Sequence, residues 1–163
     1  MSGTVQQRSV VPHIRWAVLR DMPEIMDIEQ WSFAYPWCKE DFTRCLRQRN
    51  CIGMVAEVSE SVVGYMVFEL HKTKIHILNF AVKQDYRRAG VGRAMVDKLK
   101  RKLSNERRRR IMLEVRDSNL AAQLFFNSCG FKAVSVLRDF YPYCTDDAYV
   151  FVYKLPVEAS VAS

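Results

Sequence analysis

Residues 75–103 constrain this chain more than any other stretch. An apolar, strand-like run (Ile75, Ile77, Leu78, Phe80, Val82) meets a polar turn at residues 83–85. The basic segment Arg87-Arg88-Ala89-Gly90-Val91-Gly92 follows, and after it apolar positions recur at Gly92, Met95, Val96, Leu99 and Leu103. That spacing of three and four belongs to a helix packing one face on a sheet. A strand feeding a glycine loop that opens a helix presents backbone N–H groups, and the positive end of a helix dipole, to an anion. Gly90 and Gly92 let a large anion approach backbone that a Cβ would obstruct.

The anion is not a nucleotide of the commonest kinds. No Lys-Ser/Thr pair follows the loop, so it is not a Walker-type phosphate loop. It also lacks the GxGxxG order and the downstream acidic residue of a dinucleotide fingerprint. A formal net charge of +7 on 163 residues points to an acidic partner, either a polyphosphate cofactor, nucleic acid or a ribosome-like surface, or else to a solvated basic face. The run Arg107-Arg108-Arg109-Arg110 has no aromatic residues interleaved to read bases.

The length fits one domain with a buried core. Residues 1–12 read as a disordered lead, residues 13–156 as the folded domain, and residues 157–163 as a loose tail. No apolar run has the length of a membrane span, and the first residues lack the apolar core of a signal peptide, so the expected setting is the cytoplasm. The five cysteines, an odd number without CxxC spacing, read as reduced structural thiols, and no metal is expected.

Strands are expected at residues 14–18, 52–58, 62–70, 74–82, 111–115, 132–137 and 149–155. Helices are expected from a cap at Asp21 with Pro23 in the first turn, over 39–49, after the glycine loop, and over 119–129, the last ended by Gly130. The three residues 59–61 make the second and third strands an antiparallel hairpin. The order of elements predicts an α/β sheet with both antiparallel and parallel pairs.

Two polar residues stand out. Alternation along residues 111–116 puts Ile111, Leu113 and Val115 on one face and Met112, Glu114 and Arg116 on the other, so Glu114 breaks an apolar strand. It is a chemically useful carboxylate or one paired with Arg116 or another neighbour. Asn119 is placed to cap the helix after it. Tyr35, Trp37, Tyr141 and Tyr143 lie in proline-containing loops and are either core packing or the wall of a substrate pocket.

The loop Arg87-Arg88-Ala89-Gly90-Val91-Gly92 resembles the Q/R-x-x-G-x-G/A acetyl-coenzyme-A loop of the GNAT N-acetyltransferases. The resemblance extends over residues 14–155 and is carried further by Glu29-Gln30, Ser32-Phe33, Tyr35-Pro36-Trp37 and Phe80-Ala81-Val82. Leu113-Glu114-Val115-Arg116, Ser118-Asn119-Leu120-Ala121-Ala122, Gly130-Phe131 and Tyr141-Pro142 narrow it to the RimI type, which acetylates the N-terminal alanine of a small-subunit ribosomal protein. It implies a mixed, mostly antiparallel central sheet of about seven strands flanked by about four helices.

It also implies residue roles. Phe80, Ala81 and Val82 would line the acetyl and pantetheine part of acetyl-CoA. Arg88, Ala89, Gly90, Val91, Gly92 and Arg93 would hold its pyrophosphate, and Asn119 and Phe126 would contact its arm. Glu114 would be the general base, and Tyr35, Trp37, Tyr141 and Tyr143 would face a protein substrate with a free N-terminus. Phe126 departs from the family pattern, because it stands where a tyrosine is usually assigned as proton donor to the leaving thiolate. Tyr141 or Tyr143 is then the alternative source of a hydroxyl. The expected protein is a monomer that meets nucleic acid only by way of the ribosome. A lysine side chain or small amine as acceptor, and a weakly catalytic ribosome- or RNA-binding relative, are the alternative readings.

Overall fold

Residues 9–157 are described by a computed structural model. In chain order they form β1 (His13–Trp16), α1 (Met22–Ser32), α2 (Lys39–Leu46), β2 (Cys51–Val58), β3 (Ser61–Leu70) and β4 (Lys74–Val82). These are followed by α3 (Val91–Lys100), β5 (Arg110–Arg116), α4 (Leu120–Ser128), β6 (Lys132–Leu137) and β7 (Ala148–Lys154). The seven strands make one sheet in the order β1-β2-β3-β4-β5-β7-β6. β1 with β2, β5 with β7, and β6 with β7 are antiparallel, whereas β4 and β5 are parallel. The architecture is the mostly antiparallel α/β sheet expected from the sequence. Most of the first and last residue stretches, 1–8 and 158–163, lie outside the described residues. Within the expected lead, Val10 donates its N–H to the Ala89 carbonyl at 3.2 Å.

The chain divides into two compact units, one running through Phe68 and including Asn79–Asp97, the other comprising Glu69–Leu78 and the chain from Lys98 onward. In the first unit, Ile25, Ile28, Phe42, Val55, Met66, Val91, Met95 and Val96 are buried. Gly64 is the point of close approach between β3 and α3, since an added Cβ would sit 3.1 Å from Met95 Sδ. In the second unit, Ile75, Leu99, Ile111, Leu113, Val115, Phe126, Phe131 and Phe151 are buried. β5 pairs with β7 along its whole length, from Arg110 opposite Lys154 to Arg116 opposite Ala148.

Several expected boundaries move for identifiable reasons. The β2–β3 turn has two residues, not three, and Ser59 and Glu60 both take left-handed conformations (φ 50° and 66°). Two left-handed central residues match the strand twist of a tight hairpin, at a cost of about 1–2 kcal/mol for each non-glycine residue. α2 stops at Leu46, because Arg47, Gln48, Arg49 and Asn50 offer nothing apolar to bury. β1 ends two residues early, and Ala17 bonds the Gly53 carbonyl at 2.9 Å beyond it.

Asp21 takes the N-cap position of α1, but its side chain does not cap that helix. The carboxylate, 3% exposed, accepts hydrogen bonds from both terminal nitrogens of Arg15 and from Val18 N–H, each at 2.8 Å. Arg15 also donates from Nε to Glu57 on β2 at 2.8 Å. The Arg15 guanidinium holds the Asp21 carboxyl below the usual carboxylate range, outweighing burial, which acts the other way.

A second buried carboxylate ties the α1–α2 connection to the sheet. Glu29 lies on the apolar stripe of α1 with Met22, Ile25 and Ile28 and is 1% exposed. Its Oε1 accepts from Trp37 N–H at 2.8 Å, and its Oε2 accepts from Asn79 Nδ2 at 2.9 Å and from the Tyr65 hydroxyl. Burial pushes the Glu29 carboxyl above its ordinary range, and the three donors pull against it. Burial and Glu29 together push the Tyr65 phenol up as well.

Asp21→Asn is expected to lower stability at neutral pH by about 2 kcal/mol, the scale of charge-assisted hydrogen bonds. The wild-type advantage exists above the unfolded carboxyl's ordinary value of 3.8 and disappears as pH falls below it through the lowered folded value. Urea denaturation of both proteins at neutral and acid pH measures the gap. Glu29→Ala leaves the Trp37 N–H and the Asn79 amide without an acceptor, and the same assay should show a loss of about 3 kcal/mol.

Candidate functional site

The first part of the site is built on backbone. β4 alternates buried and half-exposed residues up to Val82, where the chain leaves the sheet. Asn79, 8% exposed and bonded to Glu29, turns its Oδ1 back to accept the Phe80 N–H at 3.0 Å, which orders the end of the strand. A short 3-10 turn, Gln84–Tyr86, leads into the glycine loop. Arg87 braces that loop, donating from Nε to the Val82 carbonyl at 3.0 Å and from a terminal nitrogen to Ser32 Oγ at 3.3 Å.

Within the loop the side chains divide sharply. Ala89 and Val91 are buried, whereas Arg88, Gly90 and Arg93 are exposed. Arg88 is held left-handed (φ 62°), a conformation that costs a non-glycine residue about 1–2 kcal/mol and is typical of functional loops. Gly90 is left-handed too (φ 92°), and a Cβ built on it would meet nothing within 4 Å. The Ala94 N–H donates to the Gly90 carbonyl at 3.0 Å and closes the first turn of α3. Earlier N–H groups of a helix have no acceptor inside it, so they point out of its positive end. A cation-flanked helix start with open space over a left-handed glycine fits a pyrophosphate.

The second part is built on side chains. Met112, Glu114 and Arg116 share the less buried face of β5, as the alternation predicted. Glu114 is not paired with Arg116. Its Oε2 lies 2.7 Å from Nε2 of His76 on β4, both side chains being about four-fifths buried (17% and 20% exposed). Arg116 instead lies over the Tyr141 ring, 3.9 Å from its centroid, and bonds Cys144 Sγ at 2.8 Å. Burial pushes the Tyr141 phenol up to about 12, with Arg116 opposing and Glu114 adding to the rise. The phenol keeps its proton at neutral pH and is a weaker acid than an ordinary tyrosine.

The other candidate residues fall unevenly. Asn119 caps α4, its Oδ1 accepting the Ala122 N–H at 3.1 Å. Phe126 is 3% exposed, with its ring edge-on to Phe125 and Phe131, so it serves the core. Trp37 packs edge-on to the fully buried Phe42 and gives its N–H to Glu29, whereas Tyr35 is half exposed. Tyr143 is 74% exposed. Two residues given no site role from the sequence matter here. His76 reaches Glu114 from 38 positions away, and Glu29 is the hub of a buried polar cluster. The signal for both was a polar residue interrupting an apolar run, and Glu29 also stood in the Glu29-Gln30 motif.

Comparison with known proteins gives the family. The model of the acetyltransferase (GNAT) family matches residues 16–131. The ribosomal protein bS18-alanine N-acetyltransferase of Escherichia coli (strain K12) is 28% identical over 137 residues, 84% of this chain and 92% of that protein. An N-alpha-acetyltransferase of Sulfurisphaera tokodaii is 31% identical, with 87% of this chain and 92% of the relative covered. Among solved structures, Ard1 from Thermoplasma volcanium superposes with a TM-score of 0.81 at 28% identity, over 91% of this chain and all of that one. Among the described residues no helix is long and apolar enough to cross a membrane. The chain belongs to the GNAT acetyltransferase family and is an acyltransferase that takes its acetyl group from acetyl-CoA.

Proposed function

We propose that this chain acetylates the α-amino group of a protein N-terminus, that of a ribosomal protein beginning with alanine, with Glu114 as general base. The observation that carries this reading is the Glu114 carboxylate, four-fifths buried on an otherwise apolar strand and held by His76 Nε2 at 2.7 Å. The acceptor is suggested by the relatives, whose names specify an N-terminal α-amine and, for the Escherichia coli protein, the alanine of bS18. The cytoplasm is the setting, and residues 13–156 serve as one catalytic domain.

An α-amine has a pKa of about 7.7–8.0, so much of it is protonated and unreactive at neutral pH. Glu114 takes that proton, and the freed nitrogen lone pair forms the new bond to the acetyl carbon as the C–S bond breaks. Such base catalysis is worth about 10²–10⁴-fold. A backbone N–H near Val82 stabilises the charge that builds on the thioester oxygen. The departing thiolate takes up the second proton that the nitrogen loses as the amide forms, passed on by the Tyr141 or Tyr143 hydroxyl in place of the tyrosine replaced by Phe126. Arg88, Ala89, Gly90, Val91, Gly92 and Arg93 hold the pyrophosphate, Phe80, Ala81 and Val82 align the pantetheine, and Asn119 offers its amide to the arm. Tyr35 and Tyr143, exposed on their loops, face the peptide.

Release of free thiol from acetyl-CoA with an alanine-starting ribosomal peptide tests the reading. Turnover is expected with the free peptide and not with the same peptide blocked at its N-terminus. Glu114→Gln should lower kcat by about 100-fold with the KM for acetyl-CoA little changed. Full activity in that variant removes Glu114 from the base role. Gly90→Val puts a branched side chain where the backbone is left-handed and the space above it open, and steady-state kinetics should show a KM for acetyl-CoA raised about tenfold or more.

A further inference from the structure

The β3–β4 turn gathers a second set of polar side chains, of which His76 alone touches the residue proposed as base. Glu69 lies near the end of β3, His71 opens the turn, and His76 lies on β4. Glu69 Oε1 is 3.6 Å from His71 Nε2 and 3.6 Å from His76 Nδ1, and ligand atoms of all three residues lie within 4.8 Å of one another. All three side chains are partly exposed, at 20%, 38% and 20%, so an ion from solvent can reach them. Four-coordinate zinc, with bonds of roughly 2.0–2.1 Å, sets its ligands about 3.3 Å apart. The two Glu69 contacts exceed that spacing by about 0.3 Å, and rotation of the side chains has to close the rest.

The turn itself is held in place. His71 N–H donates to the Lys74 carbonyl at 2.9 Å, and that antiparallel register puts Glu69 opposite His76. Arg108 Nε donates to the His71 carbonyl at 2.6 Å, and Arg109 N–H to the Thr73 carbonyl at 3.3 Å. The Arg108 charge therefore sits on the backbone side of His71, and the Glu69 and Glu114 carboxylates face the cluster against it.

The decisive feature is how His76 uses its two nitrogens. Nε2 is taken up by Glu114 at 2.7 Å, so Nδ1, 3.6 Å from Glu69 Oε1, is the ring nitrogen left to ligate an ion. That gap is too long for a good hydrogen bond, and a cation in it would be ligated from both sides. An imidazole that bonds a carboxylate through one nitrogen and a metal through the other is the usual outer support of a metal ligand. Two imidazoles and one carboxylate, with remaining positions open to water, select a borderline divalent ion such as zinc over calcium or magnesium.

We propose that Glu69, His71 and His76 bind a divalent transition-metal ion of the zinc class, and that its occupancy slows acetyl transfer by fixing the His76 N–H on Glu114. The bound ion polarises the imidazole, strengthens its bond to the Glu114 carboxylate, and ties up an oxygen that would accept the substrate's proton. The binding stands on the cluster alone, whereas the effect on turnover rests on Glu114 being the base.

Titration of the metal-free protein with Co²⁺, followed by visible absorption and by competition with Zn²⁺, tests the binding. One equivalent with the spectrum of nitrogen and oxygen ligands is expected, weakened about tenfold or more in His71→Ala and in Glu69→Gln. No binding, binding unchanged in both variants, or the charge-transfer bands of thiolate ligation would overturn the site, the last assigning the ion to a cysteine. An unliganded gap bridged only by a proton on His76 gives the first of these results. In acetyl transfer, Zn²⁺ should inhibit the wild-type protein over the range in which it binds. His71→Ala should keep the basal rate and lose the inhibition. Inhibition that persists in His71→Ala, or binding without any change in turnover, overturns the coupling. Glu114→Gln separates the two readings: if it keeps full activity while Co²⁺ still binds, the base assignment fails and the metal site stands.

Discussion

β4 runs parallel to β5 where residues 74–76 face residues 110–112, and a parallel neighbour cannot be reached by a tight turn. The chain has to leave β4 at Val82 and return at Arg110, which requires a crossover. The glycine loop and α3 are that crossover. A helix must start soon after the strand ends, its N–H groups point out of its first turn, and the left-handed Gly90 opens the space above them. The glycine loop is thus a consequence of one parallel pair in a mostly antiparallel sheet. The following strand, β5, carries Glu114.

Two kinds of polar interaction support this arrangement, and they differ in what they cost. Glu29 and Asp21 are buried carboxylates whose acceptor capacity is filled by donors from other elements, so they tie helix, loop and strand together. For Asp21 the guanidinium of Arg15 wins over burial and the ionised form is favoured, whereas for Glu29 burial wins and the proton is favoured. A full positive charge is present in the first case and only neutral donors in the second. Glu114 is held differently, by one imidazole on the less buried face of β5, which solvent still reaches. A carboxylate left with that much unfilled acceptor capacity is suited to exchanging a proton, and the two filled ones are suited to structure.

Local patterns were readable where burial alone decides structure. β4 occupies residues 74–82 as the apolar run indicated, and β5 alternates as its sequence alternates. Met95, Val96 and Leu99 are fully buried on α3, as their spacing required. Ser59 and Glu60 were not readable as a two-residue turn, because neither is the glycine or asparagine that usually announces left-handed backbone. Asp21 looked like a helix cap from its neighbours, and only the approach of Arg15 from β1 shows where its carboxylate goes. The partnership of His76 with Glu114 was hidden for the same reason, since sheet register joins them and no local signal does. Phe126 stands out in the sequence as a missing hydroxyl, but its buried ring shows that its place in the fold is packing against Phe131.

Intact mass spectrometry of ribosomal proteins from cells with and without this chain tests α-amine acetylation most directly. The expected result is one small-subunit protein that carries a single acetyl group on its N-terminal alanine only when the chain is present. Identical masses in both samples, or an acetyl group that fragmentation places on a lysine side chain, would contradict it.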